Sequence, residues 1–210
     1  MKKLLLSVRE IAELIYGSGS ITNLKDLKNR ANEGTLIHQY WQNKYMSDDQ
    51  KEVVVQSNYK TEDFDISISG RIDGLLFRED AYIIEEIKST HRDLEQLEED
   101  TTPAHLAQAK IYAYMYAFKN DLSGIDVWLT YIDVKSKAVK QLKNYFDISD
   151  LQNFYEETME SFVSWQEKLY SHELVRLSSI EGLTFPFEKF RHNQRRMMAV
   201  IYKSIIAQDI

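Results

Sequence analysis

An α/β domain with a central mixed β-sheet flanked by helices is the fold class this sequence predicts. Three observations carry it. Some segments repeat apolar residues at helical spacing, others alternate apolar with polar ones, and the two kinds interleave along the chain. SVREIAELIY places Val8, Ile11, Ala12 and Ile15 on one helical face, and the following GSGS breaks it. Asn23 to Tyr45 predicts a longer helix, with Leu24, Leu27 and Ala31 along it and aromatic residues near its end. Valine-rich KEVVVQSNY predicts a strand, and DFDISISGRIDG alternates as a half-buried strand does. LLFREDAYIIEEIKST then predicts a hairpin turning near Arg78 to Asp80. Asp93 to Asp100 is expected to be a surface loop or a frayed helix. PAHLAQAKIYAYMYAFK predicts a helix with proline in its first turn. A second hairpin is expected around Lys135 to Lys137, and a long helix from Asp150 to His172. The predicted order is α, α, β-meander, α, β-hairpin, α.

Composition narrows the class of protein. A chain of 210 residues can bury one sizeable core, so one main domain is expected. The apolar run in MKKLLLSVRE is too short for a signal peptide, and no later segment is apolar enough to span a bilayer, which reads as a cytoplasmic protein without a membrane partner. The absence of cysteine excludes disulfides, thiolate zinc sites and a cysteine-held iron–sulfur cluster. The net charge of −7 argues weakly against nucleic acid, but the charge is unevenly spread. DLEQLEED carries five acids and no base, whereas EKFRHNQRR carries four bases and one acid.

The segment GRIDGLLFREDAYIIEEIKST carries the chemistry. Residues two apart on a strand share a face, so Glu86 and Lys88 project together while Ile87 points into the core. Asp73 is read as opening the preceding strand, between Gly70 and Gly74, and an antiparallel return brings it beside Glu86. Two adjacent carboxylates repel unless a cation sits between them, and such hard oxygen donors suit magnesium or manganese. A lysine beside that ion orients a water or offsets charge on a phosphate. Plainer readings exist for each residue taken singly. Glu86 and Lys88 form an exposed salt bridge in one, and Asp73 a turn in another. His38, one turn beyond Gly34, serves as a structural histidine, and Tyr112 and Tyr116 serve as core.

Taken together, Gly34-x-x-x-His38, Gly70-x-x-Asp73, Glu86-x-Lys88 and Gln108-x-x-x-Tyr112 occur in the order found in RecB-type nucleases of the PD-(D/E)XK superfamily. The sequence resembles that family from Ser7 to His172. The resemblance implies a restriction-endonuclease-like fold and a metal-dependent deoxyribonuclease, an exonuclease or a flap endonuclease. It also implies roles: His38, Asp73 and Glu86 as ligands of Mg2+ or Mn2+, joined by the Ile87 carbonyl, and Lys88 as the catalytic lysine. Gln108 and Tyr112 would shape the site or contact the DNA backbone, and Glu33 would serve a second metal or its water shell. Some relatives staple this domain with a four-cysteine iron–sulfur cluster, which a chain without cysteine cannot hold.

Leu183 to Ile206 departs from that pattern and resembles the opening of XPD/DinG-like helicases, through Phe185, Pro186, Phe187, Phe190, Arg191, Gln194 and Met197. In such helicases the glutamine, here Gln194, reads adenine. No G-x-x-x-x-G-K-[ST] loop follows, so no phosphate cradle is present. An amphipathic helix packing on the domain is the simpler account of this tail. The expected organisation is a nuclease domain over residues 1–175, then a linker and the start of a truncated helicase-like domain over 176–210. The expected partners are DNA, as single-stranded ends or flaps, and a helicase domain in the same longer chain, acting in DNA repair or recombination. The competing functions are a catalytically weak DNA-binding accessory domain and a protein-interaction module.

Overall fold

The computed structural model describes residues 1–18, 24–98, 103–184 and 186–207. Asn23, the side chains of Leu24 and Leu27, the acids Glu99 and Asp100, and Phe185 lie outside the described residues. The elements run β1 (Lys2–Ser7), α1 (Val8–Tyr16), α2 (Leu24–Gln42), β2 (Gln50–Lys60), β3 (Phe64–Arg78), β4 (Ala81–Thr90), α3 (Pro103–Lys119), β5 (Gly124–Asp133), β6 (Val139–Asp147), α4 (Ile148–Glu181) and α5 (Gln194–Ala207). Among the described residues of the acidic segment, Leu94–Gln96 form a 3-10 turn capped by the Asp93 side chain.

The first strand was not expected from the sequence. KKLLLS has three consecutive leucines and so no alternation to announce a strand, and its partner lies some sixty residues away (Lys2 opposite Phe64). Ser7 ends β1 and caps α1: its side chain accepts the Glu10 N–H at 3.1 Å, and Glu10 accepts the Ser7 N–H at 2.7 Å. This reciprocal capping box satisfies two groups that a helix start leaves without partners. The buried face of α1 carries Val8, Ile11 and Ala12.

Among the described residues six strands form one mixed sheet in the order β1-β3-β4-β5-β6, with β2 also paired to β3. The β1–β3 and β4–β5 ladders are parallel, and the other three are antiparallel. A second correction concerns β3. It is one strand of 15 residues, so Asp73 lies within it instead of opening it. Its hairpin to β4 turns on Glu79 and Asp80, whose φ of 49° and 62° give the left-handed pair that a two-residue I′ loop requires.

Strand registers create a notch. Since β2 runs along one edge of β3 from Asp65 to Leu75, β1 and β4 must share the other edge. There β1 pairs as far as Ser69 and β4 begins at Gly74. Residues 70–73 therefore have no strand beside them on that edge, and the candidate site forms there.

The main core joins α1, α3 and the first part of α4 to the sheet through residues such as Ile11, Ile68, Ile84, Ile111, Leu129 and Phe162. Each such side chain contributes about 1.5–3 kcal/mol by leaving water. A smaller cluster, Ile37, Ile87 and Ile132 with Trp41, Tyr45 and Val134 at its border, seats α2. Alternation along β4 sorts the two sides. Ile84 belongs to the main core, and Ile87 to the α2 cluster.

The chain divides into compact units at Met1–Gln166 and Glu167–Ile210. In the second, the C-terminal turns of α4 and helix α5 expose Leu174, Val175, Met197 and Ile201. Gln194, the first residue of α5, accepts the Arg191 N–H at 3.0 Å. No described helix is long and apolar enough to cross a membrane.

Candidate active site

Asp73 sits at the end of the notch, where β3 and β4 part. Gly74 and Glu85 are the last pair of that ladder, so the next N–H along β4, that of Ile87, needs another acceptor. Asp73 Oδ2 accepts it at 2.8 Å. The other oxygen, Oδ1, faces Nδ1 of His38 on α2 at 3.4 Å. Burial pulls the His38 pKa down, but the Asp73 hydrogen bond and the charges of Asp73 and Glu86 outweigh it and raise the imidazole above its usual value.

Glu52 of β2 joins this pair, and no sequence signal marked it. It lies in the gap of the β2–β3 ladder between Lys51–Gly74 and Val53–Ile72, with φ at 54°. A glutamate in the left-handed region is strained by about 1–3 kcal/mol, a feature that clusters at functional sites. One ligand atom each from His38, Glu52 and Asp73 lie within 4.8 Å of one another. Gln42 of α2 ties the group together, donating to Glu52 Oε1 at 3.1 Å and to the Asp73 carbonyl at 2.9 Å.

On the other face of β4, Glu86 and Lys88 project towards α3. Glu86 is 2% exposed. Its Oε1 lies 2.7 Å from Lys88 Nζ, while its Oε2 is buried without a hydrogen-bond partner among the described residues. Burial pushes the Glu86 carboxyl up to about 7; Lys88 opposes the shift and the charge of Asp73 adds to it. Lys88 also donates to Gln108 Oε1 at 3.1 Å. Tyr112, one helical turn beyond Gln108, is buried and packs against Gly70 so closely that a Cβ there would collide with its ring. Burial, then the charge of Glu86, raises the Tyr112 pKa, so its hydroxyl stays protonated. Gly70 thus serves close packing, not a turn.

The structure gathers His38, Asp73, Glu86, Lys88, Gln108 and Tyr112 around the notch, with the Ile87 backbone between Asp73 and Glu86. Glu33 is engaged elsewhere. Its carboxylate lies 2.9 Å from His91 Nε2, beside a cavity of about 370 Å³ that Ser89, Arg92 and His105 help to line. Gln194 belongs to the second unit.

Glu85, also unmarked by the sequence, faces α2 and is 1% exposed. Its Oε1 accepts Trp41 Nε1 at 3.0 Å, Gln141 Nε2 at 3.2 Å and the Thr130 hydroxyl, and its Oε2 accepts the Tyr45 hydroxyl. Burial, then the charge of Glu85, raises the Tyr45 pKa, which keeps that phenol a donor. As Gly70 does for Tyr112, Gly74 makes room for Tyr45, since a Cβ there would strike its hydroxyl oxygen.

The donor set fits a divalent cation. Carboxylates from Asp73 and Glu52 and the imidazole of His38 converge, and the buried Glu86 Oε2 lacks any other partner that would satisfy it.

A family model described as the PD-(D/E)XK nuclease superfamily matches residues 22–195. No curated protein sequence matches. Among solved structures, the chain is similar to a protein named SSO0001, with TM-score 0.45, 16% identity and coverage of 76% of this chain and 77% of that one. It is similar to a phage-related exonuclease from Haemophilus somnus 129PT, with TM-score 0.43, 14% identity and coverage of 79% and 82%. An alkaline exonuclease from Laribacter hongkongensis gives TM-score 0.43, 13% identity and coverage of 81% and 93%.

Proposed function

The chain belongs to the PD-(D/E)XK nuclease superfamily, and we propose that its notch hydrolyses phosphodiester bonds of DNA with a divalent cation. One observation carries the reading. Glu86 is a fully buried carboxylate with one oxygen on Lys88 and the other without a partner, on the strand position that follows the parting of β3 and β4. Such a group is costly unless something cationic completes it.

In this reading Asp73, Glu86, His38 and the Ile87 carbonyl would hold the ion, with Glu52, whose ligand atom lies close to those of His38 and Asp73, as a further donor. When bound, Mg2+ or Mn2+ supplies Lewis-acid polarisation of a phosphate and a lowered pKa for an attacking water. The chain's own residues supply orientation. Asp73 is fixed by the Ile87 N–H, so its second oxygen keeps one direction. Lys88 spends one donor on Glu86 and one on Gln108, and the third would be left for a water or a phosphate oxygen. Gln108 positions Lys88, and Tyr112 offers a hydroxyl to the DNA backbone. Glu33 pairs with His91 and is left out of the ligand set in this reading.

Single-stranded ends or flaps are the substrate we favour. The support is the sequence likeness of residues 183–206 to a helicase opening, in which Gln194 would contact adenine in a longer chain. The test is cleavage of end-labelled single-stranded and blunt duplex DNA with Mn2+, with and without EDTA. Metal-dependent loss of the single strand supports the proposal. Binding without cleavage in any metal would instead identify a DNA-binding accessory domain.

A further inference from the structure

We infer that Glu85 is a positioning residue: from the face of β4 opposite Glu86 it fixes α2 on the sheet and thereby sets His38 over Asp73. The inference rests on the reading of His38 as a ligand. Four donors from four places reach this one carboxylate: Trp41 of α2, Tyr45 just past its end, Thr130 of β5 and Gln141 of β6. A carboxylate offers about four lone-pair sites, so four donors leave it one arrangement.

The helix side of the network is the site side. Trp41, Gln42 and Tyr45 follow His38 by three, four and seven residues, the spacing of one helical face. Trp41 and Tyr45 hold Glu85, while Gln42 holds the Asp73 carbonyl and Glu52. Among the described residues, the apolar packing of α2 on the sheet is the small Ile37–Ile87–Ile132 cluster, with Trp41 and Tyr45 at its border. Apolar contact is non-directional and tolerates sliding, whereas these hydrogen bonds do not. The bare backbone of Gly74 lets Tyr45 reach its acceptor. Well-packed apolar side chains commonly serve stability as well as a buried charge does, so a carboxylate here points to geometry.

The experiment uses the full chain stripped of metal and titrated with Mn2+ alone. Glu85→Gln turns one of the two accepting oxygens into a donor, and Tyr45→Phe removes one donor while keeping the ring, so one of the two should fold. Outer partners of a metal ligand commonly alter affinity 10–100-fold, and we expect about tenfold weaker Mn2+ binding in Glu85→Gln and a smaller loss in Tyr45→Phe. Neither loss should recur in a His38→Ala background, because the clamp acts through that imidazole. Amide hydrogen exchange without metal should quicken across residues 36–42 and stay unchanged in α3. Unchanged Mn2+ affinity in both folded variants, or an equal loss with and without His38, overturns the inference. If wild type binds no Mn2+ or ignores His38→Ala, the ligand reading fails instead. Unchanged exchange across α2 then overturns the clamp as well.

Discussion

Glu85 and Glu86 are neighbours on one strand, both almost fully buried, yet they face opposite sides of the sheet and meet opposite treatment. On the α2 side four donors converge on Glu85. On the α3 side Glu86 has Lys88 on one oxygen and nothing on the other. A saturated buried carboxylate is a fixed structural joint, whereas a half-satisfied one leaves an oxygen that a proton or a cation can take. The same residue type in the same strand thus meets two environments, and the surrounding donors make the difference.

The largest break of this comparison should come from the α3 side. Glu86→Gln or Lys88→Ala should lower DNA cleavage by about 10³-fold or more while circular dichroism stays native. Wild-type rates in either folded variant would remove the assignment. Next, on the α2 side, Glu85→Gln should destabilise the metal-free protein by about 1–3 kcal/mol, because donors lose a buried acceptor. Urea unfolding measures it, and no change would mean that the network is slack.

A pH series sharpens the contrast. The folded-state pKa of Glu86 is raised from 4.5 to about 7. A raised pKa contributes stability that is present below the unfolded value and lost as pH climbs through the folded one. Metal-free wild type should therefore lose stability between about pH 4.5 and 7, and Glu86→Gln should lose less over that window. Thermal melts at pH 5 and pH 8 report it, and identical slopes would reject the sign. The smallest expected effect concerns metal choice. Imidazole favours manganese over magnesium, so His38→Ala should lower the manganese-to-magnesium activity ratio by roughly a few-fold. An unchanged ratio would leave His38 a packing residue.

How much of this was legible in the sequence depended on how local the cause was. The α3 helix, Pro103 to Lys119, matches its predicted span, since proline at its start and helical spacing are local signals. The shared face of Glu86 and Lys88 followed from strand period alone. Glycines misled: Gly70 and Gly74 resemble turn signals but make room for Tyr112 and Tyr45, so β3 was read as two pieces. Strand β1 was missed because only its distant pairing with β3 makes it a strand. Glu52 and Glu85 stayed invisible for a similar reason. The first gains its place from the β2–β3 register, and the second from donors on α2, β5 and β6.

The central claim is that the buried Glu86 oxygen awaits a divalent cation. Thermal melts of wild type and Glu86→Gln at pH 8, each without metal and with saturating Mn2+, test it most directly. Without metal the variant should melt at or above wild type, since a neutral amide escapes the cost of burying charge. Mn2+ should raise the wild-type midpoint and leave the variant nearly unmoved. A variant that melts well below wild type without metal, or that gains as much from Mn2+, would contradict the account.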